Sequence, residues 1–280
     1  MSKENMNGWT PFPDSQDDAQ KVHEVPDTPQ TRSPAYRLAY LDDDFMMQRE
    51  MRSLRVGLEL SKPDIILKKN GIKSTVVLFG GARIPEPGKE ATAAKNEQQK
   101  KNLEKFSCYY DEARKFARLC AQYSKKTQSH EFVIVTGGGP GVMEAGNRGA
   151  HDVDAPTIGL NIVLEHEQCP NAYVTPELCF NFHYFALRKM HFLMRAKALA
   201  IFPGGFGTMD ELFEAITLIQ TKKMKRVPVL MFGREFWNKT LNFNHLAEMG
   251  MISPADVELL TFVDSAEEGW NVLRDFYKLS

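Results

Sequence analysis

The sequence lacks the features that mark secreted, membrane-spanning and nucleic-acid-binding proteins. Its 280 residues include only four cysteines, and these form no Cys-x-x-Cys pair or disulfide-dense pattern, which fits a reducing compartment. No apolar run approaches the length of a membrane span, and the polar N-terminus lacks the apolar segment of a signal peptide. The formal net charge is −1, so no general positive field attracts nucleic acid or an anionic membrane. We therefore expect a cytoplasmic protein.

Two nucleotide-binding fingerprints are also absent. The chain contains no G-x-x-x-x-G-K-[ST] motif, which excludes a Walker A phosphate loop. The glycine run at 137–141 does not complete G-x-G-x-x-G, because Val142 occupies the last position. About twenty residues further on, where that fingerprint places an acidic ribose ligand, the sequence reads G-L-N. Kinase-type and NAD-binding sites are therefore disfavoured.

The order of polar and apolar segments predicts the fold. Residues 1–34 are polar and poor in large apolar side chains, which predicts a disordered tail. Apolar residues recur at helical spacing through 35–70, which indicates an N-terminal helical extension. Beyond it, apolar strands alternate with helices; the strands are predicted at 75–79, 132–136, 157–163, 198–202, 227–232 and 259–263. This alternation predicts an α/β fold over 35–280, a single domain with a Rossmann-like, doubly wound parallel sheet and helices on both faces.

Three of the predicted strands end in glycine clusters, at 80–81, 137–141 and 204–207. Ligands of open α/β sheets bind beyond the carboxyl ends of the strands, so the three clusters should face one crevice. The third cluster opens a helix that carries Thr208 and Glu211. Unpaired N–H groups at the helix N-terminus, together with the threonine hydroxyl, form a phosphate site. The sequence therefore predicts a ligand of mononucleotide size, with one phosphate on the third loop.

Two of these loops resemble the paired signatures of the LOG ("Lonely guy") family, long mislabelled as lysine decarboxylases. The matching segments are G-G-G-P-G-V-M-E at 137–144 and P-G-G-F-G-T-M-D-E at 203–211, and R-K-M at 188–190 resembles a third family element. The resemblance runs from about Arg55 to the C-terminus. It implies hydrolysis of the N-glycosidic bond of a nucleoside 5′-monophosphate, AMP or a cytokinin riboside 5′-monophosphate, to free base and ribose 5-phosphate. It also implies at least a homodimer, with Arg188 and Glu211 as catalytic residues.

The chemistry of the bond explains these two residues. Cleavage of a ribosyl C–N bond passes through an oxocarbenium-like state, as glycoside hydrolysis does. A carboxylate at Glu211 is able to stabilise that cation, or to orient and deprotonate water. Arg188 is able to keep Glu211 ionised, or to bind the phosphate or ribose hydroxyls. Taken alone, Glu211 reads more readily as a first-turn carboxylate that complements the helix dipole, and Arg188 also reads as solvated charge on an amphipathic helix.

The remaining predicted site residues all bind substrate: Gly80, Gly81, Arg83, Gly138, Gly139, Glu144, Lys189, Gly204, Gly205, Gly207 and Thr208. Glu144 is equally well explained as a residue that caps its helix. Arg83 is equally well explained by a surface salt bridge. No metal site is predicted, because the histidines and cysteines lack zinc-site spacing, and the proposed reaction requires no cofactor.

The sequence leaves one alternative to hydrolysis open and excludes another. A module that binds or senses a nucleotide without cleaving it would use the same loops but would not depend on Glu211. A pyridoxal-phosphate decarboxylase is rejected, since no lysine stands in a recognisable Schiff-base context. The long segment before the first strand and the charged insertion at 84–102 leave the base preference and the oligomeric state open.

Overall fold

The computed structural model describes residues 14–165 and 169–279. The chain divides into two compact units, 1–58 and 59–280, so the boundary falls inside the predicted extension at 35–70. In the first unit the described elements are α1 (Ser15–Lys21), α2 (Asp43–Met46), the start of α3 (Arg52–Lys69) and 3-10 turns at Val22–Glu24, Pro34–Tyr36, Ala39–Leu41 and Arg49–Met51. Residues 1–13 of the predicted tail lie outside the described residues. Residues 14–34 bury no side chain but include one short helix.

The second unit alternates strands and helices. Its elements after α3 are β1 (Thr75–Phe79), α4 (Glu97–Lys105), α5 (Cys108–Lys126), β2 (Val133–Thr136), α6 (Val142–His151), β3 (Thr157–Ile162), a 3-10 turn (Pro176–Leu178), β4 (Cys179–Phe182), α7 (Phe185–Met194), β5 (Ala196–Ile201), α8 (Phe206–Gln220), β6 (Val229–Phe232), α9 (Arg234–Thr240), α10 (Phe243–Glu248), α11 (Pro254–Val257), β7 (Leu260–Val263) and α12 (Ala266–Tyr277). No helix among those described for 14–165 and 169–279 has the length and apolar character needed to cross a bilayer.

The strands form one seven-stranded sheet in the order β4-β3-β2-β1-β5-β6-β7. Every neighbouring pair is parallel. The chain winds outward from β1 to β4, then returns to place β5 on the other side of β1. The strand order therefore reverses between β1 and β5, which is where open α/β sheets bind ligands.

Helices cover both faces of the sheet because its strands are apolar on both faces. Along β1, Val77 and Phe79 pack in a core with side chains of α7 and α8. Val76 and Leu78 point the other way, into a second core with side chains of α5, α6 and α12. Each fully buried side chain of this size stabilises the fold by about 1.5–3 kcal/mol. The predicted Rossmann-like, doubly wound α/β class is confirmed.

One strand was not predicted. Strand β4 has the sequence C-F-N-F and pairs only with β3, at the edge of the sheet. Its side chains alternate between buried Phe180 and Phe182 and exposed Asn181. Because β4 is only four residues long and follows a loop, its aromatic residues resembled general core or interface residues in the sequence.

Candidate functional site

The fold brings the three glycine clusters together. The backbone N–H of Gly81 donates to the carbonyl of Pro203 at 2.9 Å, and the N–H of Val142 donates to the carbonyl of Gly81 at 3.3 Å. The loops after β1, β2 and β5 are thus joined by main-chain hydrogen bonds at the carboxyl edge of the sheet. This edge contains the point between β1 and β5 at which the strand order reverses.

A cleft of about 340 Å³ opens at this edge. Its size is at the lower end of the range for small-molecule sites. The sequence-predicted residues that line it are Gly80, Gly81, Arg188, Gly205, Gly207, Thr208 and Glu211. The lining residues that sequence reasoning did not assign are Phe79, Ala82, Gly137, Met143, Ile162, Leu164 and Phe185. Phe79 and Ile162 end strands β1 and β3, so their position at strand ends was the available signal.

The N-terminus of α8 forms one end of the cleft. Helix α8 begins at Phe206, and its N-cap is Gly205, which has no side chain to accept the first N–H groups. Gly205, Gly207 and the buried Thr208 all line the cleft. Gly204 does not line it, but a side chain there would clash with the Thr208 hydroxyl, so glycine is required for this close packing. Uncapped N–H groups beside a hydroxyl are suited to binding an anion.

Glu211 is a buried carboxylate in the cleft wall. It is 5% exposed, and among the described residues the groups that act on its carboxylate are neighbouring charges and no hydrogen-bond donor. Burial raises the pKa of Glu211 to about 7, against the opposing effect of Arg188 and Lys189. Since α8 begins at Phe206, Glu211 lies beyond the first turn, where complementing the helix dipole does not explain it. A buried ionisable group without a partner in a cleft is characteristic of a functional site.

Arg188 is fixed on the same cleft. It lies on α7, and its Nε donates to the carbonyl of Leu160 at 2.7 Å. Its guanidinium lies over the Phe192 ring, 5.2 Å from the centroid. A Cβ atom placed on Gly137 would lie only 2.6 Å from Nη2 of Arg188, so the guanidinium packs directly on that loop. These contacts are not those of a solvated surface charge.

Three of the charged residues predicted to bind substrate do not line the cleft. The Lys189 amino group pairs with Asp210 at 3.0 Å and with Glu214 at 2.9 Å, which joins α7 to α8 beside the cleft. Glu144 accepts a hydrogen bond of 2.7 Å from the hydroxyl of Tyr110, on the α5 side of α6. Arg83 is exposed, and its neighbour Ala82 lines the cleft instead.

The glycines of the second loop that were predicted to bind substrate, Gly138 and Gly139, also lie outside the cleft lining. The carbonyls of Gly138 and Gly139 each accept a hydrogen bond of 3.0 Å from the side chain of Asn171. Neither glycine lines the cleft, whereas Gly137 does. The second loop therefore borders the cleft with its first residue only.

Comparison with solved structures gives likenesses at low identity. The molybdenum cofactor binding protein from Rippkaea orientalis aligns over 73% of this chain and 98% of its own, with 16% identity and a TM-score of 0.46. The molybdenum cofactor carrier protein from Chlamydomonas reinhardtii aligns over 74% of this chain and 99% of its own, with 14% identity and a TM-score of 0.44.

Comparison of sequences is more specific. The model of the family described as "Possible lysine decarboxylase" matches residues 143–273. The cytokinin riboside 5′-monophosphate phosphoribohydrolase LOG3 of Arabidopsis thaliana is 27% identical over 152 residues, which are 53% of this chain and 69% of that protein. The phosphoribohydrolase LOG1 of the same plant is 31% identical over 90 residues, 32% of this chain and 42% of that protein. The family match includes both Arg188 and Glu211.

Proposed function

We propose that this protein is an N-glycosidase that hydrolyses a nucleoside 5′-monophosphate, AMP or a cytokinin riboside 5′-monophosphate, to free base and ribose 5-phosphate. The observation that carries the proposal is Glu211, a buried carboxylate without a hydrogen-bond donor among the described residues, in the wall of the cleft. Such a group costs stability, so its place in the cleft calls for a chemical role. The activity for which the two similar plant proteins are named, that of a cytokinin riboside 5′-monophosphate phosphoribohydrolase, supports the same reaction.

The 5′-phosphate binds at the N-terminus of α8. Gly205 and Gly207 let the phosphate approach the backbone closely, and the Thr208 hydroxyl donates a further hydrogen bond. Glu211 follows Thr208 by one helical turn, so a nucleotide bound through its phosphate has its ribose beside the carboxylate. Binding energy at the phosphate is thereby used to orient the glycosidic bond.

Glu211 acts as the carboxylate in the bond-breaking step. As the C–N bond lengthens, positive charge develops on the ribose, and the ionised Glu211 stabilises it. Water then bonds to the anomeric carbon, gives one proton to Glu211, and the departing base takes up a proton from solvent. With a pKa of about 7, a substantial fraction of Glu211 is ionised at neutral pH, and the carboxylate is basic enough to accept a proton from water. Hydrolysis is expected to rise with pH through this region.

Arg188 and the apolar wall orient the rest of the substrate. The positive charge of Arg188 favours the ionised form of Glu211, and its fork of N–H donors suits ribose hydroxyls or phosphate oxygens. Met143, Ile162 and Phe185 give the cleft apolar surfaces against which a planar base can pack.

The decisive experiment is a panel of nucleotides assayed for free base by chromatography. We expect base release from AMP or a related nucleoside 5′-monophosphate, and far slower release from adenosine, which lacks the phosphate. Equal rates on AMP and adenosine would contradict phosphate binding at α8. Binding of AMP without any base release would favour the alternative function, a nucleotide sensor that does not hydrolyse its ligand.

We also propose that the protein forms at least a homodimer. Helices α7 and α8 leave large apolar side chains exposed, among them Met190, Met194 and Phe206, the last of which is 92% exposed. An apolar patch of this kind favours contact with a second copy. Light scattering of the wild type should give at least twice the monomer mass. The double variant Met190→Asp, Phe206→Asp should have the mass of a monomer. The matched control Phe276→Asp, at an exposed phenylalanine on α12, should not change the mass.

A further inference from the structure

A closed ring of hydrogen bonds lies behind the 137–141 loop. The N–H of Gly138 donates to the Thr136 hydroxyl at 2.9 Å, and that hydroxyl donates to Oδ1 of Asn147 at 2.7 Å. Nδ2 of Asn171 donates to the same Oδ1 at 2.9 Å and to the carbonyl of Gly138 at 3.0 Å, which closes the ring. Thr136 and Asn147 are fully buried. A satisfied buried network of this kind makes the surrounding backbone rigid.

Asn171 reaches this ring from outside the loop. Its amide nitrogen also lies 3.0 Å from the carbonyl of Gly139, so its two hydrogens are shared among three acceptors, and its backbone N–H donates to the carbonyl of Gly138 at 2.8 Å. Its Oδ1 accepts the N–H of Tyr173 at 3.2 Å, which fixes the orientation of the amide. One side chain therefore holds two consecutive loop carbonyls. Both are directed at Asn171, which does not line the cleft.

The loop in turn supports Arg188. Gly137 precedes the two tethered residues, and a Cβ built on it would lie 2.6 Å from Nη2 of Arg188 and 2.7 Å from Sδ of Met143. The guanidinium is therefore in direct contact with the loop backbone. Movement of Gly137 by even a fraction of an ångström changes where the guanidinium can lie.

We propose that Asn171 is a positioning residue of the candidate site, whose side-chain amide holds the 137–139 backbone in the conformation that seats the Arg188 guanidinium against Gly137. The catalytic consequence rests on the proposed function, because it acts through Arg188 on the hydrolysis of the nucleotide. Asn171 itself touches neither the cleft nor the substrate. Misplacement of a functional group by about 1 Å is enough to cost up to 10²-fold in rate.

The pH profile distinguishes positioning from simple support of the fold. Four charged residues lie near Glu211: Arg188 and Lys189 on α7, and Asp210 and Glu214 on α8. Lys189 is held by those two acidic residues and does not depend on the loop. Displacing Arg188 alone therefore removes one of the groups that lower the pKa of Glu211. The midpoint of the pH–rate profile should then move to higher pH.

The test compares Asn171→Ala and Asn171→Asp in the full chain with the control Asn181→Ala, at an exposed position on β4. We expect at least a tenfold lower kcat for AMP, a KM changed less than kcat, and a pH midpoint raised by about half a unit. Asn171→Asp keeps the shape but cannot donate, so it should lose at least as much as Asn171→Ala. A near-normal Asn171→Asp would overturn the proposal, because shape alone would then suffice.

A crystal structure of Asn171→Ala separates this proposal from the proposed function. The variant should fold, since Asn171 is half-buried on a turn, and its Arg188 guanidinium should be displaced by about 1 Å or more. If the wild type releases no base, the proposed function fails, while displacement of Arg188 in the crystal still supports positioning. An undisplaced Arg188 overturns the proposal whatever the activity of the wild type.

Discussion

Helices α6 and α8 begin in the same way and serve different purposes. Each follows a glycine loop at the carboxyl edge of the sheet, and each has a buried polar residue at its sixth position, Asn147 in α6 and Glu211 in α8. Asn147 receives hydrogen bonds on its oxygen and donates from its nitrogen to Thr157 and the carbonyl of Ile158. Glu211 has no donor among the described residues. The buried polar residue of α6 is therefore satisfied by hydrogen bonds within the protein, whereas that of α8 is available to a ligand.

The residues at the third position of the two helices show the same difference: the one in α6 is bonded within the protein, and the one in α8 lines the cleft. Glu144 in α6 accepts from the Tyr110 hydroxyl and lies away from the cleft. Thr208 in α8 is buried and lines the cleft. A carboxylate after a glycine loop is therefore insufficient to mark a site. The absence of a protein partner within the described chain, next to a cavity, distinguishes Glu211 from Glu144.

The largest effect is expected when the buried position of α6 is given a carboxylate, as α8 has at Glu211. Asn147→Asp removes the donor to Thr157 and places a carboxylate at a fully buried position. We expect the free energy of unfolding to fall by about 3 kcal/mol or more at pH 8, measured by urea denaturation. Asn181→Asp, on the exposed side of β4, should change it by less than about 0.5 kcal/mol. Similar losses in the two variants would mean that the Asn147 network contributes little.

Replacing the arginine of the site tests whether its shape matters. Arg188→Lys keeps the charge but loses the planar fork and the contact of Nε with Leu160. We expect kcat/KM for AMP to fall about 10²-fold, which is typical for loss of one preorganised donor. Steady-state kinetics with circular dichroism as a folding control measures this. Retention of more than half of the wild-type activity would assign Arg188 to simple charge balance.

The open carboxylate of α8 should cost stability in a pH-dependent way. The pKa of Glu211 in the folded protein is about 7, above its ordinary value of 4.5. Below the ordinary value the group is neutral in both states and costs nothing. As pH rises from 4.5 to about 7, the unfolded state ionises while the folded state stays protonated, so stability is lost over this range and the loss is complete above it. Glu211→Gln should therefore match the wild type at pH 4 and melt on the order of 5 °C higher at pH 8. An equal difference at both pH values in thermal scans would refute the raised pKa.

The smallest effect is expected at the carboxylate of α6. Glu144→Gln keeps an oxygen that accepts from Tyr110, and the side chain does not line the cleft. We expect kcat/KM for AMP to change by less than about twofold, since the substitution keeps this hydrogen bond and lies away from the cleft. A loss of tenfold or more would return Glu144 to the substrate-binding residues.

The sequence was informative where one local pattern determines the outcome. Apolar strands separated by helices defined the parallel sheet, and glycine clusters at strand ends located its binding edge. Arg188 and Glu211 were found because they lie in segments that resemble motifs of the LOG family. The contacts of Arg188 with Leu160 and Gly137, on separate elements, depend on the folded chain.

The sequence was not informative where a side chain chooses among distant partners. Lys189 follows Arg188 directly, yet its amino group pairs with acidic residues of α8. Glu144 meets Tyr110, which lies 34 residues earlier in the chain. Asn171 supports a loop that lies 33 residues before it, from a turn without a recognisable motif. Such pairings are set by packing between elements, which spacing along the chain does not encode.

We propose that Glu211 takes part in cleavage of the glycosidic bond and does not bind the phosphate. AMP hydrolysis and AMP affinity, measured side by side in wild type and Glu211→Gln, separate these two roles. We predict that kcat falls by at least about 10²-fold, in the range expected for loss of a positioned acid–base group, while the dissociation constant for AMP changes by less than about threefold. A Glu211→Gln enzyme that still releases base within tenfold of the wild-type rate would contradict the claim.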